Sequence, residues 1–147
     1  MKQYAGGCLC GNIRYSVKGN PTFPHLCSCR MCQKWSGAPT VAWVEFPVDS
    51  IEWNGSGGVP SFYQSSEKTR RGSCPKCGGS ICALDDGYDK ISLTIATLDD
   101  PSSVVPGKQH SFSESAPKWW EVKIMHSAAK AISKKRANSS SAKKSSK

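Results

Sequence analysis

No stretch of this chain approaches the ~18 consecutive apolar residues that a membrane-crossing helix needs, so a bilayer-spanning helix is excluded. The opening residues, Met1-Lys2-Gln3-Tyr4-Ala5-Gly6-Gly7, lack the apolar stretch of a secretory leader. The expectation is therefore a reducing compartment, the cytoplasm with the nucleus as the alternative, where thiols persist and bind metal rather than form disulfides. Few segments sustain a 3.6-residue apolar period, so helices are not the main element. There is no internal repeat, which excludes a repeat architecture. Acidic residues are absent from residues 130–147, which carry seven Lys or Arg. Residues 1–129 hold 13 bases against 11 acids, so the net charge of +9 belongs mostly to the tail. A nearly neutral body lacks the basic face expected of a nucleic-acid-binding domain. With 147 residues, 37% of them hydrophobic and five of them Trp, the chain holds one ordinary domain rather than a disordered one.

What the sequence has is cysteine in clusters. Seven of eight fall into Cys8-Leu9-Cys10, Cys27-Ser28-Cys29-Arg30-Met31-Cys32 and Cys74-Pro75-Lys76-Cys77. Cys74 and Cys77, followed by Gly78-Gly79, form a knuckle whose two-residue gap brings both sulfurs to one ion. Cys8 and Cys10 share a face if their segment is extended, with Gly6, Gly7 and Gly11 giving the backbone room to turn. Pairing them with Cys74 and Cys77 makes a Cys₄ structural zinc site; the alternative is that the first pair is simply buried thiol. Cys27, Cys29 and Cys32 supply three thiols and leave a fourth position for water, a protein side chain or a substrate thiol. A thiol bound to zinc is deprotonated at neutral pH, and a soft thiol substrate suits a sulfur-rich site. The competing reading closes this second site with Cys82, His25 or His110. Arg30 and Lys34 are placed to offset the cluster's charge or to meet a substrate carboxylate. Arg70 and Arg71 read as a solvated face, with anion contact as the minority alternative. Trp35, Trp43, Trp53, Trp119 and Trp120 read as core more than site, although the last two cannot point the same way in a strand.

The alternation of residues 12–18, 40–46, 51–53, 62–66, 80–84 and 90–96 predicts short strands, the last two flanking a turn at Asp85-Asp86-Gly87 as a hairpin. Residues 99–101 read as a turn or one helical turn, and residues 109–114 as extended. Residues 123–135 read as a weak helix. Low-complexity sequence follows it and is expected to be disordered.

Three motifs carry a resemblance to a known family. Gly6-Gly7-Cys8-Leu9-Cys10-Gly11-Asn12-Ile13-Arg14-Tyr15, the segment from Cys27 to Ala38, and Arg71-Gly72-Ser73-Cys74-Pro75-Lys76-Cys77-Gly78-Gly79 resemble motifs of the glutathione-dependent formaldehyde-activating enzyme / centromere protein V family. Leu98-Asp99-Asp100-Pro101, Gln109-His110-Ser111-Phe112 and Ala116-Pro117-Lys118-Trp119-Trp120 are similar to later family features. The resemblance spans about residues 4–122. It implies a mainly β, Mss4-like (β-tent) single domain stapled by zinc. It also implies structural zinc at Cys8, Cys10, Cys74 and Cys77 and a second, open and catalytic zinc at Cys27, Cys29 and Cys32, hence two Zn²⁺ per chain. The implied activity joins formaldehyde to glutathione as S-(hydroxymethyl)glutathione, a carbon–sulfur lyase reaction in which zinc presents the thiolate. Two alternatives stand beside it. One is zinc-activated hydrolysis of an imine-like substrate. The other is a non-enzymatic zinc module whose Lys-rich tail contacts nucleic acid. The expected organisation is a zinc-binding domain at 1–125 and a basic tail at 126–147, with glutathione as partner and no membrane association.

Overall fold

The computed structural model describes residues 1–126. Most of the weak helix expected over 123–135, and the expected basic tail beyond residue 126, lie outside the described residues.

Ten short strands, one α-helix and four single-turn 3₁₀ helices make up the described chain. The strands and the α-helix are β1 (Gln3–Gly7), β2 (Arg14–Lys18), β3 (Thr22–Cys27), α1 (Arg30–Ser36), β4 (Val41–Pro47), β5 (Ile51–Trp53), β6 (Ser61–Gln64), β7 (Thr69–Ser73), β8 (Ser80–Asp85), β9 (Lys90–Thr94) and β10 (His110–Ser111). The strands form a three-stranded sheet in the order β1-β2-β5 and a seven-stranded sheet in the order β10-β3-β4-β9-β8-β7-β6. Pairing is antiparallel except for β10 on β3. The expected hairpin at residues 80–96 is present as β8 and β9.

β4 organises both sides of the large sheet. Side chains alternate across a strand. Ala42, Val44 and Phe46 point into the core, where they meet Tyr4, Tyr15 and Val17 of the small sheet together with Ile81, Ile91 and Leu93. Val41 and Trp43 point the opposite way and pack with Cys27, Cys32, Trp35 and Ala83 in a second cluster. Because both faces are covered, β4 is buried over most of its length, and its sequence reads as a nearly unbroken apolar run.

Elements that the alternation does not announce have local reasons. β3 contains Pro24, and Phe23 sits at φ 46 in a register shift between Thr22 and His25, so its period is broken. α1 has seven residues, too few to show a period. It starts at Cys29, whose thiol accepts the Cys32 amide at 3.3 Å, and stops at Gly37 with φ 70. β7 is polar in sequence, yet Arg71 and Gly72 are buried. Cys8 and Cys10 do not lie on an extended strand. Cys8 directly follows β1, and the chain then turns, with the Gly11 amide on the Cys8 carbonyl and the Cys8 amide on the Ile13 carbonyl.

Gly6 shows why β1 cannot carry a larger residue there. A Cβ would sit 2.4 Å from the Thr97 carbonyl oxygen and 2.4 Å from the Tyr15 hydroxyl, which itself bonds Thr97 at 2.8 Å. A backbone oxygen cannot step aside as a side-chain tip can. Gly6→Ala is expected to destabilise the fold by about 2–3 kcal/mol through overpacking. Urea unfolding should show a lower midpoint at unchanged slope. An unchanged midpoint would mean the small sheet can slide away from residues 94–98 without penalty.

Candidate functional site

Two turns bring four thiols together. One follows β1 and carries Cys8 and Cys10; the other joins β7 to β8 and carries Cys74 and Cys77. All four sulfurs lie within 4.8 Å of one another. Cys8 and Cys10 are 3.6 Å apart and Cys10 and Cys74 are 3.8 Å apart. Zn–S bonds of about 2.3 Å at tetrahedral angles require S···S separations near 3.8 Å, so the spacing fits zinc. Backbone amides stabilise the thiolates: Ile13 N–H donates to Cys8 at 3.2 Å and Lys76 N–H to Cys74 at 3.4 Å. Burial pushes the Cys8 thiol up, but the Ile13 amide and neighbouring thiols outweigh it and bring it below the usual thiol range. The amide of Gly79, with that of Cys10, holds Cys77 down to about 6.

The other three thiols form a second group with the same reach, 4.8 Å. Cys27 ends β3, Cys29 caps α1, and Cys32 lies one helical turn into it. Cys32 donates to Cys27 at 3.6 Å. That bond draws Cys27 down to about 5 and drives Cys32 up, with burial adding to the rise and the Arg71 charge opposing it. The group is thus arranged for Cys27 to ionise first. The sulfur donors and their spacing again suit zinc.

The residues considered as a fourth ligand are elsewhere or otherwise engaged. Cys82 is fully buried in the inter-sheet core, where burial lifts its thiol to about 12. His110 bonds through Nε2 to the Ser28 hydroxyl at 2.8 Å. His25 does line the cavity next to the three thiols, but its Nδ1 donates to the Phe23 carbonyl at 2.8 Å. Among the described residues no His, Cys, Asp or Glu joins Cys27, Cys29 and Cys32 within the same reach.

The three thiols border a cavity of about 300 Å³. Its floor is the outer face of the large sheet. Strand register makes that floor a single row, with Arg71 opposite Ala83, Ala83 opposite Ser92 and Ser92 opposite Glu45. Phe23, Met31 and Phe112 form walls, and both Phe residues hold left-handed backbones, φ 46 and φ 54. A larger opening of about 430 Å³ lies beside Cys8, but it is lined by small and neutral residues such as Ser36, Thr40, Ala42 and Thr94 and brings no second ionisable group.

Arg30 and Lys34 do not line the thiol cavity. They face a separate groove with Gln33, Pro117 and Trp119, and Arg30 bonds Gln33. The adjacent arginines of β7 divide as strand alternation requires. Arg70 is exposed, facing Asp86 at 3.8 Å and the Phe62 ring. Arg71 is 7% exposed and enters the cavity. Trp35 and Trp43 stack beneath it, centroids 5.6 Å apart and planes 6° apart. Trp53 packs edge-on against Tyr15. Trp120 turns its indole N–H to Thr40 at 3.0 Å, whereas Trp119 stays 78% exposed.

A two-sheet β domain that gathers seven of its eight cysteines into two clusters able to hold a metal ion, one of them beside an open cavity, is the class that fold and site define. The chain belongs to the glutathione-dependent formaldehyde-activating enzyme family, whose profile matches residues 3–115. The mainly β architecture agrees with the tent-like fold expected of it. The crystal structure of a Rhodobacter sphaeroides protein is similar at a TM-score of 0.52 and 18% identity, covering 65% of this chain and 87% of that one, a likeness of fold alone. Comparison with curated proteins finds no match.

Proposed function

We propose that the chain is a zinc-dependent carbon–sulfur lyase that combines glutathione with formaldehyde to give S-(hydroxymethyl)glutathione. The observation that carries this reading is the convergence of three thiols, with no fourth donor among the described residues, at the edge of the 300 Å³ cavity. Family membership supplies the substrate class. Cys27, Cys29 and Cys32 would hold the catalytic ion, and Cys8, Cys10, Cys74 and Cys77 the structural one. Zinc held by Cys27, Cys29 and Cys32 would lower the pKa of an incoming thiol and so supply a thiolate at neutral pH.

The remaining steps fall to the chain itself. The S–C bond forms as the C=O π pair moves to oxygen, and that oxygen takes a proton. His25 lines the same cavity, and with its Nδ1–H donating to the Phe23 carbonyl its Nε2 would be the atom to carry the thiol proton to the adduct oxygen. Phe23, Trp43 and Phe112 give the cavity an apolar lining beside the reacting atoms. All eight cysteines are free of disulfides, which supports a reducing compartment, the cytoplasm, as the place of action. No helix among the described residues is long and apolar enough to cross a membrane.

Formaldehyde and glutathione combine unaided, so the test is a rate. Exchange NMR with ¹³C-formaldehyde and glutathione should show faster interconversion with the protein than without it, in proportion to protein concentration. Equal rates would reject the lyase reading. Turnover of an imine with no thiol present would transfer the site to hydrolysis instead.

A further inference from the structure

Arg71 is a cation buried to 7% exposure, and such a charge is expected to have a partner. It has none of the usual kind. Its Nε finds no hydrogen-bond acceptor, and among the described residues its guanidinium pairs with no carboxylate. The two acids that share its cavity are engaged elsewhere. Glu45 faces Lys90 at 3.8 Å and accepts from the Tyr88 hydroxyl at 3.1 Å, and Asp85 accepts from the Thr69 hydroxyl at 2.5 Å. What holds Arg71 is aromatic. Its guanidinium carbon lies 5.4 Å from the Trp35 centroid and 5.8 Å from the Trp43 centroid. Aromatic support of this kind positions a guanidinium while leaving its N–H donors unused. Those donors suit a carboxylate, which they grip as a bidentate pair. The cysteine trio borders the same cavity.

We propose that Arg71 is the carboxylate-recognition residue of this cavity, and that it makes the site select thiols that carry a carboxylate. This rests on the thiol reading above. Arg30 and Lys34, which the sequence offers for the role, open onto another groove, and Arg71 takes it because β7 turns it inward.

The test is calorimetric binding to the zinc-loaded protein with three probes: glutathione, its diethyl ester, and S-methylglutathione. The ester keeps the thiol and loses both carboxylates; the S-methyl compound does the reverse. The parent should bind glutathione at least about tenfold tighter than the ester. Arg71→Met should abolish that preference, and Arg71→Lys should restore part of it. Equal binding of glutathione and its ester to the parent would overturn the proposal, and this arm holds even if the Met variant fails to fold. An Arg71→Met variant that loses zinc from the trio but keeps the preference for glutathione over its ester would also overturn it, by making Arg71 only a counter-charge to the thiolates. The two readings fail separately. Should S-methylglutathione bind as well as glutathione, with the same dependence on Arg71, the thiol reading falls and the carboxylate site stands.

Discussion

Replacing Cys74 with serine should leave a chain with no cooperative folding transition at 25 °C. Cys74 is 2% exposed, and its sulfur lies 3.8 Å from that of Cys10, 64 residues earlier in the chain. The four thiols tie the turn after β1 to the turn between β7 and β8, across the edge of the core that both sheets share. Metal bound at such a site contributes on the order of 10 kcal/mol at neutral pH, because the unfolded chain offers no preformed site. A domain of this size has a net stability of about 5–15 kcal/mol. Losing one ligand therefore removes a share comparable to the whole. A serine hydroxyl is neutral at pH 7 and a poor zinc donor, so it does not substitute. Far-UV circular dichroism during heating, with metal content measured by mass spectrometry, should show a non-cooperative or unfolded chain and loss of the tightly held ion. A melting temperature within a few degrees of the parent would remove the structural role of this cluster. Cys10→Ser removes another of the same four ligands and is expected to lose the ion as well; because Cys10 is exposed, it avoids only the added cost of a buried hydroxyl.

How far the sequence discloses this molecule depends on whether its signals are local. The thiol clusters are legible because metal geometry demands short ligand spacings, and both groups assemble with the members those spacings suggest. Strands β2, β4, β5, β8 and β9 are legible because their alternation or apolar runs survive. β3 is hidden by Pro24 and by the left-handed Phe23, while α1 is a single capped helical stretch set by Cys29 and Gly37. Cys8 and Cys10 share a face by alternation only if their segment is extended; in the fold the segment turns, with Gly11 at φ 76, while Gly6 serves close approach instead.

Arg71 shows what one chain read linearly cannot display. Beside Arg70 it looks like half of a solvated pair. Its burial depends on β8 and β9 lying between β7 and β4, which puts it in a row with Ala83, Ser92 and Glu45. Such a row exists only after residues far apart in sequence have paired. The alternation of β7 does hold a partial signal, since adjacent residues of a strand must face opposite sides. Which side is the inner one is decided by Trp35 and Trp43, whose stacking comes from α1 and β4.

Cys29→Ser should separate chemistry from folding. Of the trio, Cys29 is the half-buried member, while Cys27 and Cys32 are buried against Val41 and Trp43. It also caps α1, a duty that serine performs well, so the bond from the Cys32 amide is kept in kind. The fold and the four-thiol cluster should therefore persist, with a melting temperature within a few degrees of the parent. The second cluster should not. Two thiols and a neutral hydroxyl hold zinc far more weakly than three thiolates, so metal content should fall from two ions per chain to one. With that ion gone, an incoming thiol keeps its ordinary pKa, and the exchange rate above background should drop on the order of 100-fold or more. Cys82→Ser is the matched control. It puts a hydroxyl into the inter-sheet core, so it should lower stability and leave the rate per folded molecule unchanged. A Cys29→Ser protein that holds one ion and still turns over like the parent would show that the reaction takes place away from the trio, and the cavity would then have to be read without it.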